Sequence, residues 1–152
     1  MKPLYVILIL TALVLATFIF IGCGKKKGQT HNESLSDNSI DEASPLDISP
    51  GELLAKAQSE KDIMTWMDYM ERNIRNKRVI WKVKVESVKE VSIKGLAVKY
   101  QISANDNEIF IFGNDEKMLA LKKGDDVKIE GLIQKCSTSE KPFIEVYPAK
   151  IK

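Results

Sequence analysis

Hydrophobic and polar positions change their rhythm four times along this chain, and each change marks an expected element. Leu4 to Ile21 is an almost unbroken apolar run behind the basic Met1-Lys2 start. Gln29 to Ser49 is Ser, Asn, Asp and Glu with scattered apolar residues and no Lys or Arg. From Pro50 to Ile74 the apolar residues recur at helical spacing: Leu53, Leu54 and Ala57, then Ile63, Trp66, Met67, Met70 and Ile74. Ser49-Pro50-Gly51-Glu52 is a capping box with proline at the first helical position. Ser59 to Asp62 repeats a cap signature, so the helical segment, residues 50–76, is expected to break near Ser59.

At Arg78 the period drops from 3.6 to 2. Val79, Trp81, Val83 and Val85 alternate with Ile80, Lys82, Lys84 and Glu86, the pattern of a half-buried strand. The alternation slips at Glu86-Ser87 and resumes at Val88, which predicts a bulge. After a turn at Lys94-Gly95, a second strand is expected over Leu96 to Ala104. Asn105-Asp106-Asn107 makes the next turn, and Glu108 to Phe112 a third strand. Asn114 is expected to cap a short helix through Met118 and Leu121, closed by Gly124. Asp126 to Lys135 is the fourth strand, with Val127, Ile129 and Ile133 inward and Gly131 at a kink. Phe143 to Tyr147 begins the fifth. The expected fold is therefore mainly β: a five-stranded Greek-key barrel with a short helix between strands 3 and 4, preceded by an amphipathic helical segment.

Strand–strand–strand–helix–strand–strand is the order of the OB-fold. Asn76-Lys77-Arg78-Val79-Ile80-Trp81-Lys82-Val83-Lys84-Val85 looks like the first strand of bacterial OB-fold domains. The segment Leu119 to Ile133, with Lys123-Gly124-Asp125-Asp126-Val127-Lys128-Ile129-Glu130-Gly131 at its centre, is similar to their helix–turn–strand 4 region. Residues 77–152 thus resemble the tRNA-anticodon-binding-like OB-fold family of small exported proteins.

The N-terminal segment carries a second resemblance. A basic start, an apolar core and a small-residue exit describe an export signal, and Phe20-Ile21-Gly22-Cys23 resembles the lipobox of bacterial lipoproteins. That resemblance implies a signal peptide over 1–22 and an acylated, palmitate-bearing Cys23. Residues 23–49 then form the lipidated cysteine and a flexible polar linker, with the protein held outside the cytoplasm on the cell or outer membrane. The alternative is an uncleaved transmembrane anchor, since the run is about long enough to span, roughly 17–25 residues. Lys25, Lys26 and Lys27 are placed to meet anionic phospholipid, at about 1 kcal/mol per charge near the surface.

Charge and candidate chemistry narrow the function. From Pro50 onward there are 19 Lys/Arg and 16 Asp/Glu, a balance far from that of an obligate nucleic-acid binder. The two cysteines are Cys23 and Cys136, and with Cys23 acylated Cys136 has no disulfide partner. The single histidine, His31, lies in the linker. No catalytic constellation, metal set or cofactor loop is read, and an enzyme is not expected. OB-folds bind across strands 2 and 3 and the adjoining loops. Strand 3 is apolar on both faces, so either Ile109 and Ile111 or Phe110 and Phe112 must face outward. Trp66, Met67 and Met70 are expected to cover that outward pair. If uncovered, Phe110 and Phe112, with Lys99 and Lys94, would form the ligand-binding face. The expected function is a non-catalytic, membrane-anchored binding module for an envelope protein or polymer. The alternative is a single-stranded nucleic-acid binder at the cell surface.

Overall fold

A computed structural model describes residues 38–152 of the chain apart from Gly95. The expected signal peptide, the acylated Cys23, the first part of the linker and His31 all lie outside the described residues. Among the described residues no helix is long and apolar enough to cross a membrane.

Among the described residues three short helices precede the strands: α1 (Asn38–Glu42), α2 (Pro50–Ser59) and α3 (Ile63–Asn73). The caps explain their limits. The Ser49 hydroxyl accepts from Glu52 N–H while Glu52 accepts from Ser49 N–H at 2.8 Å, so two orphan donors at the start of α2 are satisfied reciprocally. The Ser49 hydroxyl also donates to the Glu52 carboxylate at 2.7 Å, and this bond first, then that from Ser49 N–H, holds the carboxyl below its ordinary range. Asp62 caps α3, accepting from the Thr65 hydroxyl and from Met64 N–H, and these bonds, the Thr65 one foremost, lower its carboxyl. The helical run does break between Ser59 and Ile63.

The strands are β1 (Arg78–Glu90), β2 (Tyr100–Ala104), β3 (Ile109–Gly113), β4 (Asp126–Cys136) and β5 (Ile144–Ile151). They close into one barrel in the order β1-β2-β3-β5-β4. Every seam is antiparallel except β3–β5, which is parallel and spans only Ile109↔Ile144 to Ile111↔Val146. Closure leaves no long free edge to template aggregation. Val79, Trp81, Val83, Val85, Ile102, Ile109, Ile111, Ile129, Ile133, Ile144 and Val146 fill the interior. The register of β1 slips between Val85 and Ser87, where the pattern breaks, and that of β4 slips after Gly131. Gly131 is required there: a Cβ would meet Val146 Cγ1 at 2.6 Å and Pro148 O at 2.8 Å.

Several details depart from the sequence reading. β2 starts at Tyr100 rather than Leu96, and Leu96 is exposed. The element between β3 and β4 is a 3-10 turn, Glu116–Ala120, capped by Asp115. Asn114 instead donates to Ala97 O, tying the β1–β2 connection to the end of β3.

The larger departure concerns residues 38–49, which composition assigns to the linker. They form a strap on the barrel. Ile40 is fully buried, Leu46 N–H donates to Arg78 O at 2.8 Å, and Arg78 N–H donates to Ser44 O at 3.0 Å. The Trp81 indole N–H donates to Ile48 O at 2.7 Å. Isolated apolar residues in a polar stretch carry no period, so only the tertiary contacts reveal the strap.

Beside the strap lies a charged knot. Glu130 points outward from β4 yet is 2% exposed. Lys152 Nζ lies 2.9 Å, Lys150 Nζ 3.5 Å and Arg78 Nη1 3.9 Å from its carboxylate. Lys150 also reaches Asp41 of α1 at 3.1 Å. That hydrogen bond, opposed by partial burial and assisted by the Glu130 charge, raises the Lys150 ammonium above its ordinary value. A buried carboxylate is tolerated only when paired this closely.

Candidate binding cleft

The outward face of β2 and β3 follows from the pleat. Ile109 and Ile111 are buried in the barrel, so Phe110 and Phe112 face away from it, half-buried. On β2 the matching positions are Ser103, opposite Phe110, and Gln101, opposite Phe112. Lys99 continues that face beyond the start of β2, and its N–H donates to Gly113 O.

α3 does not cover this face, which corrects the expectation for Trp66, Met67 and Met70. The Trp66 indole N–H donates to Cys136 O at 2.8 Å, so the buried side of α3 sits at the end of β4. Trp66 stacks on Tyr69, whose ring carries the Lys56 ammonium 3.8 Å from its centroid. Met67 is 59% exposed, with Ile63 and Met64 exposed beside it. Helical spacing shows which residues are apolar, but not which of two adjacent apolar stripes meets the barrel.

Phe110 instead meets Phe143 from the β4–β5 loop, edge to face at 5.6 Å between centroids and 70° between planes. The pair floors a cavity of about 570 Å³, within the roughly 300–1,000 Å³ typical of ligand pockets. Gln58 at the end of α2, the β2–β3 turn and the β4–β5 loop wall it. Asn105, Asp106 and Asn107 all have left-handed φ, 49°, 57° and 66°. Asn and Asp tolerate that region best, yet three in succession are strained. The turn is pinned at its start and its end. Asn105 N–H donates to Lys84 O and Lys84 N–H donates to Asn105 Oδ1, both at 2.9 Å. Ile144 N–H donates to Glu108 O at 2.8 Å, joining the turn to the start of β5. Across the cleft the β4–β5 loop is braced by Ser137 N–H to Phe143 O and by the Ser139 hydroxyl to Lys141 O.

Carboxylates dominate the rim. Among the described residues Asp106, Glu108 and Glu140 line the cavity, with Lys141 as the one cation. Glu145 is the register partner of Phe110 on β5. Lys135 holds its ammonium 5.0 Å from the Phe143 ring centroid, a cation–π contact on an aromatic of the cleft.

The residues read from sequence are therefore divided. Phe110 is in the cleft. Lys99 lines a separate hollow of about 370 Å³ with Glu90, Val91, Ser92 and Tyr100. Phe112 lines neither hollow, and Lys94 is exposed at the β1–β2 turn. Phe143 and the carboxylate rim were missed. Asp106 reads as a turn former, and Glu108 and Phe143 as the first residues of strands. Cys136, at the end of β4, is buried, and burial pushes its thiol up to about 12, so it is protonated at neutral pH and a poor nucleophile. Among the described residues no three His, Cys, Asp or Glu side chains converge as metal ligands.

Fold and cleft together define a small closed β-barrel with an aromatic hollow at one end of its outward β2–β3 face. Comparison with protein-family models, with curated proteins and with solved structures returned no match for this chain.

Proposed function

We propose that this protein is an OB-fold binding module, without catalytic activity, held outside the cytoplasm by acylation of Cys23. Its partner is an envelope protein or polymer, and its contact surface is the β2–β3 face with the adjoining Phe110–Phe143 cleft. The strand order and the single parallel β3–β5 seam support the OB-fold assignment. The observation that carries the binding reading is the uncovered aromatic cleft, because a half-buried Phe pair flooring a cavity offers apolar area for a ligand to cover. The carboxylate rim weighs against single-stranded nucleic acid at this position, since phosphate contacts dominate such binding.

The test has two arms. Metabolic labelling with a fatty-acid analogue is expected to mark the full chain and not Cys23→Ser; equal labelling of the variant refutes the anchor. Affinity capture from solubilised envelope with the full chain is expected to recover a partner that Phe110→Ala loses. A partner retained in full by Phe110→Ala removes the cleft from the contact surface.

A further inference from the structure

The cleft is more selective than an apolar hollow. Of the charged side chains on or beside it, Asp106, Glu108, Glu140 and Glu145 are acidic, and Lys135 and Lys141 basic. The local balance is negative in a chain whose formal net charge is +2. An anion entering the cleft would approach more carboxylates than cations. A neutral apolar group would cover the rings, but would also take water from the carboxylates without replacing those contacts.

A cation satisfies both features at once. Its charge is held by the rim, and its stem or planar face lies on Phe110 and Phe143. The protein already makes this contact internally: Lys135 places an ammonium over the Phe143 ring. The geometry of the mouth adds shape. The wall formed by Asn105 to Glu108 is pinned to β1 and β5, and the opposite loop is braced across Ser137 to Phe143. Two fixed walls suit an inserted side chain better than a surface requiring a loop to close.

We infer that the cleft takes a lysine or arginine side chain presented by a segment of a protein partner. This inference rests on the binding-module reading and specifies its ligand. Arginine fits best, because its planar guanidinium stacks on aromatic faces and pairs with carboxylates.

The test uses the full chain in detergent micelles, labelled with nitrogen-15, and four probes: a capped peptide alternating arginine and glycine, its glutamate counterpart, its uncharged glutamine counterpart, and oligothymidylate. The arginine peptide is expected to bind saturably, to shift the amides of Glu108, Phe110 and Phe143, and to weaken as salt rises. Glu108→Gln combined with Glu140→Gln is expected to weaken it about 10-fold, taking up to about 5-fold per exposed ion pair. The thermal melt of that variant checks that it remains folded.

Binding of the glutamate or glutamine peptide or of oligothymidylate at those same amides, in place of the arginine peptide, overturns the cationic ligand and leaves the cleft reading standing. So does an arginine affinity unchanged by the double substitution. Shifts that spread over the surface without saturating overturn the inference as well. If Phe110→Ala also retains the whole captured partner, the cleft reading falls with it.

Discussion

Replacing Ile40 by alanine tests whether residues 38–49 belong to the folded unit. The side chain is fully buried, and the change removes three carbons. At about 0.8 kcal/mol per buried methylene the transfer loss is about 2.4 kcal/mol, and the cavity left behind brings Ile→Ala changes into a range of roughly 2–5 kcal/mol. The strap sets a ceiling, because α1 has only five residues and can detach while the barrel stays closed. Once it detaches, further damage to it costs nothing. The loss therefore saturates at the free energy with which the strap docks. A loss of about 2 kcal/mol is expected in urea denaturation followed by tryptophan fluorescence.

Amide hydrogen exchange separates the two units. The Leu46 amide, bonded to Arg78 O, is expected to lose its protection in Ile40→Ala, while Ile102 and Ile111 in the barrel keep theirs. Stability within about 0.5 kcal/mol of the parent, with Leu46 exchange unchanged, would refute the reasoning. The strap would then not depend on Ile40; a Leu46 amide already unprotected in the parent would instead extend the linker to Ser49.

Two further outcomes are expected. Gly113→Ala drives a methyl into the Ala149 carbonyl and to 2.6 Å from Met118 Cε, so the cost should reach the upper end of the roughly 1–3 kcal/mol typical of overpacking; Gly51→Ala, with nothing within 4 Å, is the control. Thermal melts that coincide for the two variants contradict the packing around Gly113. The Glu52 and Asp62 carboxyls are lowered by their cap bonds, so their contribution to stability is present above the ordinary carboxylate range and is lost as pH falls below about 4. Ser49→Ala should flatten part of that acid dependence in a circular-dichroism titration; an unaltered profile argues that the capping box does not contribute.

Much of the barrel was legible where a strand faces the core on one side, as β1 does from Val79 to Val85, and writes that fact as alternation. Val79 to Val85, the bulge after it and both helix caps needed no information beyond their own neighbourhood. What was hidden depends on residues distant in the chain. Glu130 reads as one more outward charge until Arg78 arrives from β1, and Lys150 and Lys152 from β5 and just beyond its end. The cleft is of the same kind. Phe110 was visible as half of an apolar pair, but Phe143 joins it only through barrel closure, and the carboxylates converge only once two loops are brought face to face.

The strap has a mechanical consequence. It lies on the N-terminal side of the barrel's first strand and is attached through Arg78, Trp81 and Lys150. The cleft walls come from the β2–β3 turn, the β4–β5 loop and α2, and use none of those contacts. A pull arriving from the N-terminal side would therefore act on the strap before the cleft. Releasing residues 38–49 pays out about 40 Å of chain at full extension. The chain would lengthen by that amount while the barrel carrying Phe110 and Phe143 stayed closed.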